Sequence, residues 1–193
     1  RAWNVLSTMS KSTSIYRIPT AIDQSVADVI VKQLENLPLE EATVVGNNKF
    51  VRDRDLRRSR VQWINSDTWI SGMMAHFVHT ANFETFHYDL ETWSERIQYT
   101  VYDQQGDTYG WHTDSSESPY YRGLFRKLSI SLCLSDDYEG GELQIMDDDK
   151  MHSFKMKCGD AIVFPSDVRH RVRPIKSGKR ISLVGWFSGP PFR

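Results

Sequence analysis

In the segment YGWHTDSS, His112 and Asp114 stand two residues apart. On an extended backbone that spacing projects both side chains to one side, so one cation can take an imidazole nitrogen and a carboxylate oxygen from a single short segment. A third donor has to return from a distant part of the chain. His170, in FPSDVRHRVRPIKSGKR, follows a strand-like run and two turn signals, and it fits that return. Two imidazoles and one carboxylate on one face of an octahedron suit non-haem iron(II) and leave three positions open for other ligands. The donor set leaves residual positive charge at the metal, so an anionic oxoacid can chelate beside dioxygen. If that oxoacid carries a second carboxylate, an arginine is the planar two-pronged donor that matches it. Arg180 opens the run RISLVGWF; Ser182 shares its side of the strand and adds a hydroxyl donor, while Lys179 points away.

These donors need strands to hold them, and the C-terminal half reads as strands. Ile97, Tyr99 and Val101 alternate with Gln98, Thr100 and Tyr102, and KLSISLCLS, GELQIM, HSFKM, DAIVFP and ISLVGWF are short runs separated by turns. Upstream the period is helical. From an N-cap at Asp23 or Ser25, Val26, Val29, Ile30, Leu34 and Leu37 recur at three- and four-residue spacing until Pro38. After Asp67, Trp69, Ile70, Met73, Met74, Phe77 and Val78 form a second apolar stripe. Between the stripes lie a Gly-Asn-Asn turn signal and the arginine cluster Arg52, Arg54, Arg57, Arg58 and Arg60. Residues 1–20 read as an extended, Ser- and Thr-rich lead-in. Helices followed by many short strands predict an α+β fold, a sandwich or barrel buttressed by N-terminal helices. The expected organisation is one domain over 1–193, with helical support over about 20–85 and the strand core over about 86–190.

Composition narrows the class. At 193 residues, with 39% hydrophobic and 25% charged, the chain is globular rather than disordered. A net charge of -1 supplies no global field for nucleic acid or an acidic membrane, so neither is an expected partner unless a local patch holds it. Cys133 and Cys158 are too few for a disulfide scaffold or a thiolate zinc site, which leaves a reducing cytoplasm as the expected compartment and buried apolar thiols as their expected role. No apolar run is long enough to span a bilayer, and the first residues lack a signal-peptide centre. Because the chain does not begin with Met, an earlier, removed segment stays open.

The motifs HTD, DDYEGGEL, CGDAIVFPS and HRVRPIKSGKRISLVGWF, spanning roughly residues 98 to 190, resemble the prolyl 4-hydroxylase-like iron(II) and 2-oxoglutarate oxygenases, particularly small bacterial and phage members. The resemblance implies a double-stranded β-helix, a cupin-like jelly roll. It implies iron held by His112, Asp114 and His170, 2-oxoglutarate met by Arg180, Tyr102 beside that cosubstrate and Trp186 lining the pocket. A second tyrosine that some members place on the strand after the H-x-D segment has no counterpart there; Leu132 and Cys133 occupy that region. The implied activity is hydroxylation of a C–H bond, first of a prolyl residue in a peptide or protein. Succinate and carbon dioxide would be released, with dioxygen consumed and ascorbate as accessory reductant.

Each residue also has a plainer reading. An isolated H-x-D arises by chance, and only its coincidence with His170, Arg180 and the glycine turns carries weight. Tyr102 and Trp186 could be core aromatics. The arginine cluster alternates with Asp53 and Asp55 and can be a solvated, self-neutralising loop. Its functional alternative places Arg58 and Arg60 against substrate, together with Tyr120, Tyr121 and Arg122 from SSESPYYRGLFRK, as two loops over the pocket. Competing activities are oxidation of a free amino acid, another small molecule or a nucleic acid base. A reading from another class is a non-catalytic jelly roll that binds metal or sugar, which leaves Arg180 without a purpose.

Overall fold

A computed structural model describes residues 15–46, 49–91, 95–115, 119 and 123–191. In chain order the elements are β1 (Tyr16–Ile18), α1 (Gln24–Leu34), β2 (Glu40–Glu41), β3 (Val44–Gly46), β4 (Lys49–Val51), β5 (Arg57–Arg58), β6 (Arg60–Ile64) and α2 (Trp69–Ala81), which runs into a π-helical turn over Asn82–Phe86. The second half carries β7 (Ile97–Tyr102), β8 (Thr108–His112), β9 (Phe125–Cys133), β10 (Tyr138–Gly140), β11 (Leu143–Asp147) and β12 (Lys150–Phe154). It ends with β13 (Ala161–Pro165), β14 (His170–Val172), β15 (Ile175–Gly178) and β16 (Arg180–Gly189).

Two antiparallel sheets form the jelly roll. The larger has the order β1-β13-β9-β16-β7-β6-β2 and the smaller β12-β11-β14-β8-β5; the pairs β10-β15 and β3-β4 stand apart. Period-two alternation divides the larger sheet into an apolar outer face and a largely polar inner one. On β7, Ile97, Tyr99 and Val101 join the core formed with Ile30, Ile70, Met74 and Val78 of the two helices. Each such side chain, buried completely, contributes about 1.5–3 kcal/mol. Gln98, Thr100 and Tyr102 turn the other way, into a cavity between the sheets. β16 repeats the division, with Leu183 and Phe187 outward under the helices and Arg180, Ser182, Val184 and Trp186 facing the cavity. The polar inward set is costly in a dry core and is the first structural sign of a ligand.

Both helices start near the expected places. Asp23 flanks α1 without a side-chain cap, and Thr68 caps α2 by accepting from the Ser71 amide. The stretch between the helices differs from the loop reading. β6 pairs with β7 and β2, which places Arg60–Ile64 in the larger sheet, and β5 pairs with β8 in the smaller one. β5 and β6 are hard to read because arginines interrupt their alternation. Among the described residues, no helix is long and apolar enough to cross a membrane. Cys133 is buried as expected, whereas Cys158 is only half-buried, and both thiols are free.

Candidate metal centre

Strand pairing brings the two imidazoles together. β14 runs antiparallel to β8 with His170 opposite His112, and the ring centroids are 4.2 Å apart. Each Nδ1 is engaged by the carbonyl two residues upstream: His112 with Gly110 at 2.8 Å and His170 with Val168 at 2.9 Å. With Nδ1–H donating to the backbone, each Nε2 lone pair is left for a cation. Asp114 follows β8 directly, and its carboxylate oxygens lie 3.6 Å from His112 Nε2 and 3.3 Å from His170 Nε2. Among the described residues, His112, Asp114 and His170 form a group whose donor atoms lie within 4.8 Å of one another and could hold a metal ion.

The carboxylate is fixed from behind. Ser129 on β9 donates to Asp114 Oδ2 at 2.7 Å, Ser166 lies 2.9 Å from the Ser129 hydroxyl, and the amides of Asp114 and Ser115 both donate to the Ser166 carbonyl. Arg126 donates to the Asp114 carbonyl at 3.4 Å while its guanidinium is held by Glu95. Burial acts against a charged Asp114, yet the two imidazoles and Arg126 outweigh it and hold the carboxyl well below the usual range. Burial and the neighbouring His170 push His112 down to about 4, so that imidazole is neutral near pH 7. For His170, burial lowers the value, but the Asp114 carboxylate outweighs it and raises the value on balance. A cation carrying two charges displaces such a proton, and neutral imidazoles with an ionised carboxylate are the required donor states.

The oxoacid anchor is equally specific. Arg180 is 1% exposed, and no carboxylate among the described residues comes within ion-pair distance of it. Its Nη1 donates to the Ser182 hydroxyl at 3.0 Å, its guanidinium lies 5.4 Å from the Tyr102 ring, and its Nε has no partner among the described residues. A buried cation with a donor left unused fits the distal carboxylate of a dicarboxylate ligand. Gly141 makes room for it: at φ 64° its Cβ position would fall 3.1 Å from Arg180 Cδ and 2.5 Å from Ile175 Cδ1. That glycine therefore does more than close a turn. Trp186 is 7% exposed, its indole Nε1 has no partner among the described residues, and the Arg126 guanidinium lies 4.1 Å over its ring. The donor set and the orphaned Arg180 Nε together fit iron(II) with a chelating oxoacid.

Residues 97–188 match the family model of the 2OG-Fe(II) oxygenase superfamily. That stretch, just under half of the chain, is similar to the oxygenase core of this superfamily. The chain is 43% identical over 88 residues to a PKHD-type hydroxylase of Psychrobacter sp. (strain PRwf-1) and 46% identical over 85 residues to one of Synechococcus sp. (strain CC9902). The matched stretch is 43% and 42% of this chain, and it spans only 34% and 36% of those relatives. In fold the chain is similar to a prolyl-4-hydroxylase of Pseudomonas putida, with TM-score 0.71 and 20% identity over 93% of this chain and 95% of that one. It is also similar to a Trichoplax adhaerens prolyl hydroxylase solved with a hypoxia inducible factor peptide, with TM-score 0.75 and 18% identity over 91% of this chain and 84% of that one.

The two sheets gather Tyr102, Arg180, Ser182 and Trp186 on the same cavity as the three donors. Arg58 and Arg60 are exposed instead, on a separate outer pocket with Arg52 and Arg54. The acids paired with this cluster are Glu41, with Arg52 and Arg54, and Asp103, with Arg60. Asp53 is occupied otherwise, accepting from the amides of Asp55 and Leu56 in a local turn. Tyr120, Tyr121 and Arg122 lie outside the described residues. Sequence reasoning missed Ser129 and Ser166, whose isolated serines carry no motif, and Arg57 and Tyr109, which reach the cavity wall. It also missed Tyr138, which reaches the inner core from β10. Its hydroxyl donates to the Met156 carbonyl at 2.9 Å, and burial pushes its phenol up against the opposing charge of Arg180.

Proposed function

We propose that the chain is an iron(II)- and 2-oxoglutarate-dependent dioxygenase that hydroxylates a C–H bond, first of all in a prolyl residue of a peptide or protein. Three convergent donors and a buried arginine without a counter-ion among the described residues, sharing one cavity, carry this reading. Likeness to prolyl hydroxylases supports the proline, one of them solved with a peptide.

His112, Asp114 and His170 would hold the metal through Nε2, a carboxylate oxygen and Nε2, with three positions left open. Arg180 and Ser182 would orient the cosubstrate by its distal carboxylate, with Tyr102 beneath the guanidinium. Iron with 2-oxoglutarate and dioxygen supplies the oxidant that inserts one oxygen into the C–H bond, leaving succinate and carbon dioxide. Ser129 and Ser166 keep the Asp114 carboxylate in one orientation throughout. Phe164, Leu143 and Ile130 line the same cavity and limit water around the reacting atoms. Arg58, Arg60 and the segment around Tyr120, Tyr121 and Arg122 are the parts of the chain proposed to meet the rest of the substrate.

The test is mass spectrometry of prolyl peptides incubated with the protein, iron(II), ascorbate, 2-oxoglutarate and dioxygen. A one-oxygen gain matched by succinate and absent with Asp114→Ala supports the reading. Succinate without any oxygen gain on prolyl peptides removes the proline and keeps the oxygenase.

A further inference from the structure

The cavity holds a second guanidinium that the cosubstrate does not use. Arg57 on β5 is 7% exposed and lines the metal cavity on one side and the outer arginine pocket on the other. Its Nε donates to Ser59 Oγ at 3.0 Å, Nη2 to Gln98 Oε1 at 2.6 Å and Nη1 to the Thr43 carbonyl at 3.5 Å. All three acceptors are neutral. Unlike Arg52, Arg54, Arg60 and Arg126, Arg57 has no carboxylate within ion-pair distance among the described residues. It lies 4.3 Å from the Tyr109 ring, and Tyr109 stacks on the His112 imidazole at 3.5 Å.

Arg57 is poorly placed to share the anion of Arg180. On β7, Arg180 faces Tyr102 and Arg57 holds Gln98, four residues away, which is about 13 Å of extended strand. An oxoacid whose distal carboxylate is anchored at Arg180 and whose other end chelates the metal has both charged ends engaged, which leaves Arg57 for a different anion. The charge balance agrees. Among the described residues that line the cavity, the charged side chains are Arg57, Arg180 and Asp114, beside the two histidines. Iron(II) and doubly ionised 2-oxoglutarate cancel each other, Asp114 cancels one arginine, and one positive charge is left over. A guanidinium fork 93% removed from solvent and unmatched in charge among the described residues is a site for an anionic group, and a planar carboxylate matches it.

We infer that Arg57 is a substrate-binding residue that takes a carboxylate carried by the primary substrate, with Tyr109 as the platform between that carboxylate and the metal. This rests on the oxygenase reading and refines it: the oxidised residue is a free amino acid or a chain-terminal residue, rather than one flanked by neutral peptide bonds. Gln98 holds Arg57 in place, and Arg58, exposed beside it on β5, adds positive potential at the rim of the outer pocket.

The test is anaerobic calorimetry and charge-transfer spectroscopy on the protein loaded with iron(II) and 2-oxoglutarate. The probes are paired free acids and amides: L-proline with L-prolinamide, acetyl-glycyl-L-proline with its amide, and the same pairs built on other amino acids. The acid of at least one pair binds about tenfold or more tighter than its amide, the scale of one charge-assisted hydrogen bond. That preference disappears in Arg57→Gln and is partly restored in Arg57→Lys. The single-residue and dipeptide arms separate a free amino acid from a peptide terminus. Equal binding of acid and amide, no binding of any acid, a preference that survives in Arg57→Gln, or a loss of 2-oxoglutarate binding in Arg57→Gln as deep as in Arg180→Gln each overturns the assignment. The failure of the oxygenase reading looks different: no charge-transfer band forms before any probe is added. Binding of non-prolyl acids alone removes the proline and keeps Arg57.

Discussion

Replacing Arg180 by Met separates stability from function in opposite directions. Arg180 is 1% exposed, its Nε is unpartnered, and no carboxylate among the described residues neutralises it. An apolar side chain of similar length removes a desolvated charge; replacing a whole buried ion pair by apolar residues is often neutral or stabilising by about 1–4 kcal/mol, and an unpaired charge has less attraction to lose. The loss of the Ser182 contact offsets part of this, at about 1 kcal/mol. The ligand-free melting temperature is therefore expected to stay level or to rise by a few degrees, since each kcal/mol is worth about 2–4 °C at this chain length. Binding of 2-oxoglutarate runs the other way, because removing one partner of a buried ion pair costs about 3–5 kcal/mol, or about 10²–10³-fold or more in affinity. In wild type, ligand at a hundred times its dissociation constant adds about 2.7 kcal/mol of stability. The assay is thermal unfolding of Mn(II)-loaded protein with and without 2-oxoglutarate. Wild type gains several degrees on adding the oxoacid, and Arg180→Met gains none from an equal or higher baseline. A lower baseline in the variant, or a 2-oxoglutarate shift as large as that of wild type, refutes the account of Arg180 as an unpaired anchor.

Ser129→Ala removes the donor on Asp114 Oδ2 and should weaken iron(II) binding about 10- to 100-fold without changing the fold, read by metal titration beside circular dichroism. Gly141→Ala forces a side chain into a positive-φ position and against Arg180 Cδ; 2-oxoglutarate titration should show weaker affinity, and melting should show a loss of at least about 1 kcal/mol. Burial, and then the charges of Cys133 and Asp136, raise the Cys158 thiol to about 11. Only about one thiol in a thousand is then ionised at pH 8, so iodoacetamide should label Cys158 slowly, with a rate that climbs about tenfold per pH unit up to about pH 11.

The parts of this site that could be read from sequence are those fixed by local geometry. His112 and Asp114 share a side because they flank one position at the end of a strand, and Arg180 and Ser182 share a side for the same reason. Alternation on Ile97–Tyr102 also gave the right division, apolar toward the helices and polar toward the cavity. What was not legible depends on pairing between distant strands. Ser129 and Ser166 have no pattern of their own and acquire meaning only because β13 and β9 run side by side behind Asp114. The arginine cluster shows the limit of parity. Two-residue alternation groups Arg58 with Arg60 and Arg57 with Ser59, but which pair faces inward is decided by the pairing of β5 with β8, and that pairing turns Arg57 to the metal cavity. Strands β2 and β5 escaped notice because they consist of acids and arginines, and β3 and β4 because three residues are too few to show a period, so their places rest on backbone hydrogen bonding.

The most direct measurement is an anaerobic titration of the protein with iron(II) and then 2-oxoglutarate, followed by visible absorption. Wild type is expected to give a metal-to-ligand charge-transfer band that saturates at one iron and one oxoacid per chain, disappears in Asp114→Ala and is strongly weakened in Arg180→Met. A colourless wild-type mixture, or an Asp114→Ala protein whose band matches wild type, contradicts this expectation.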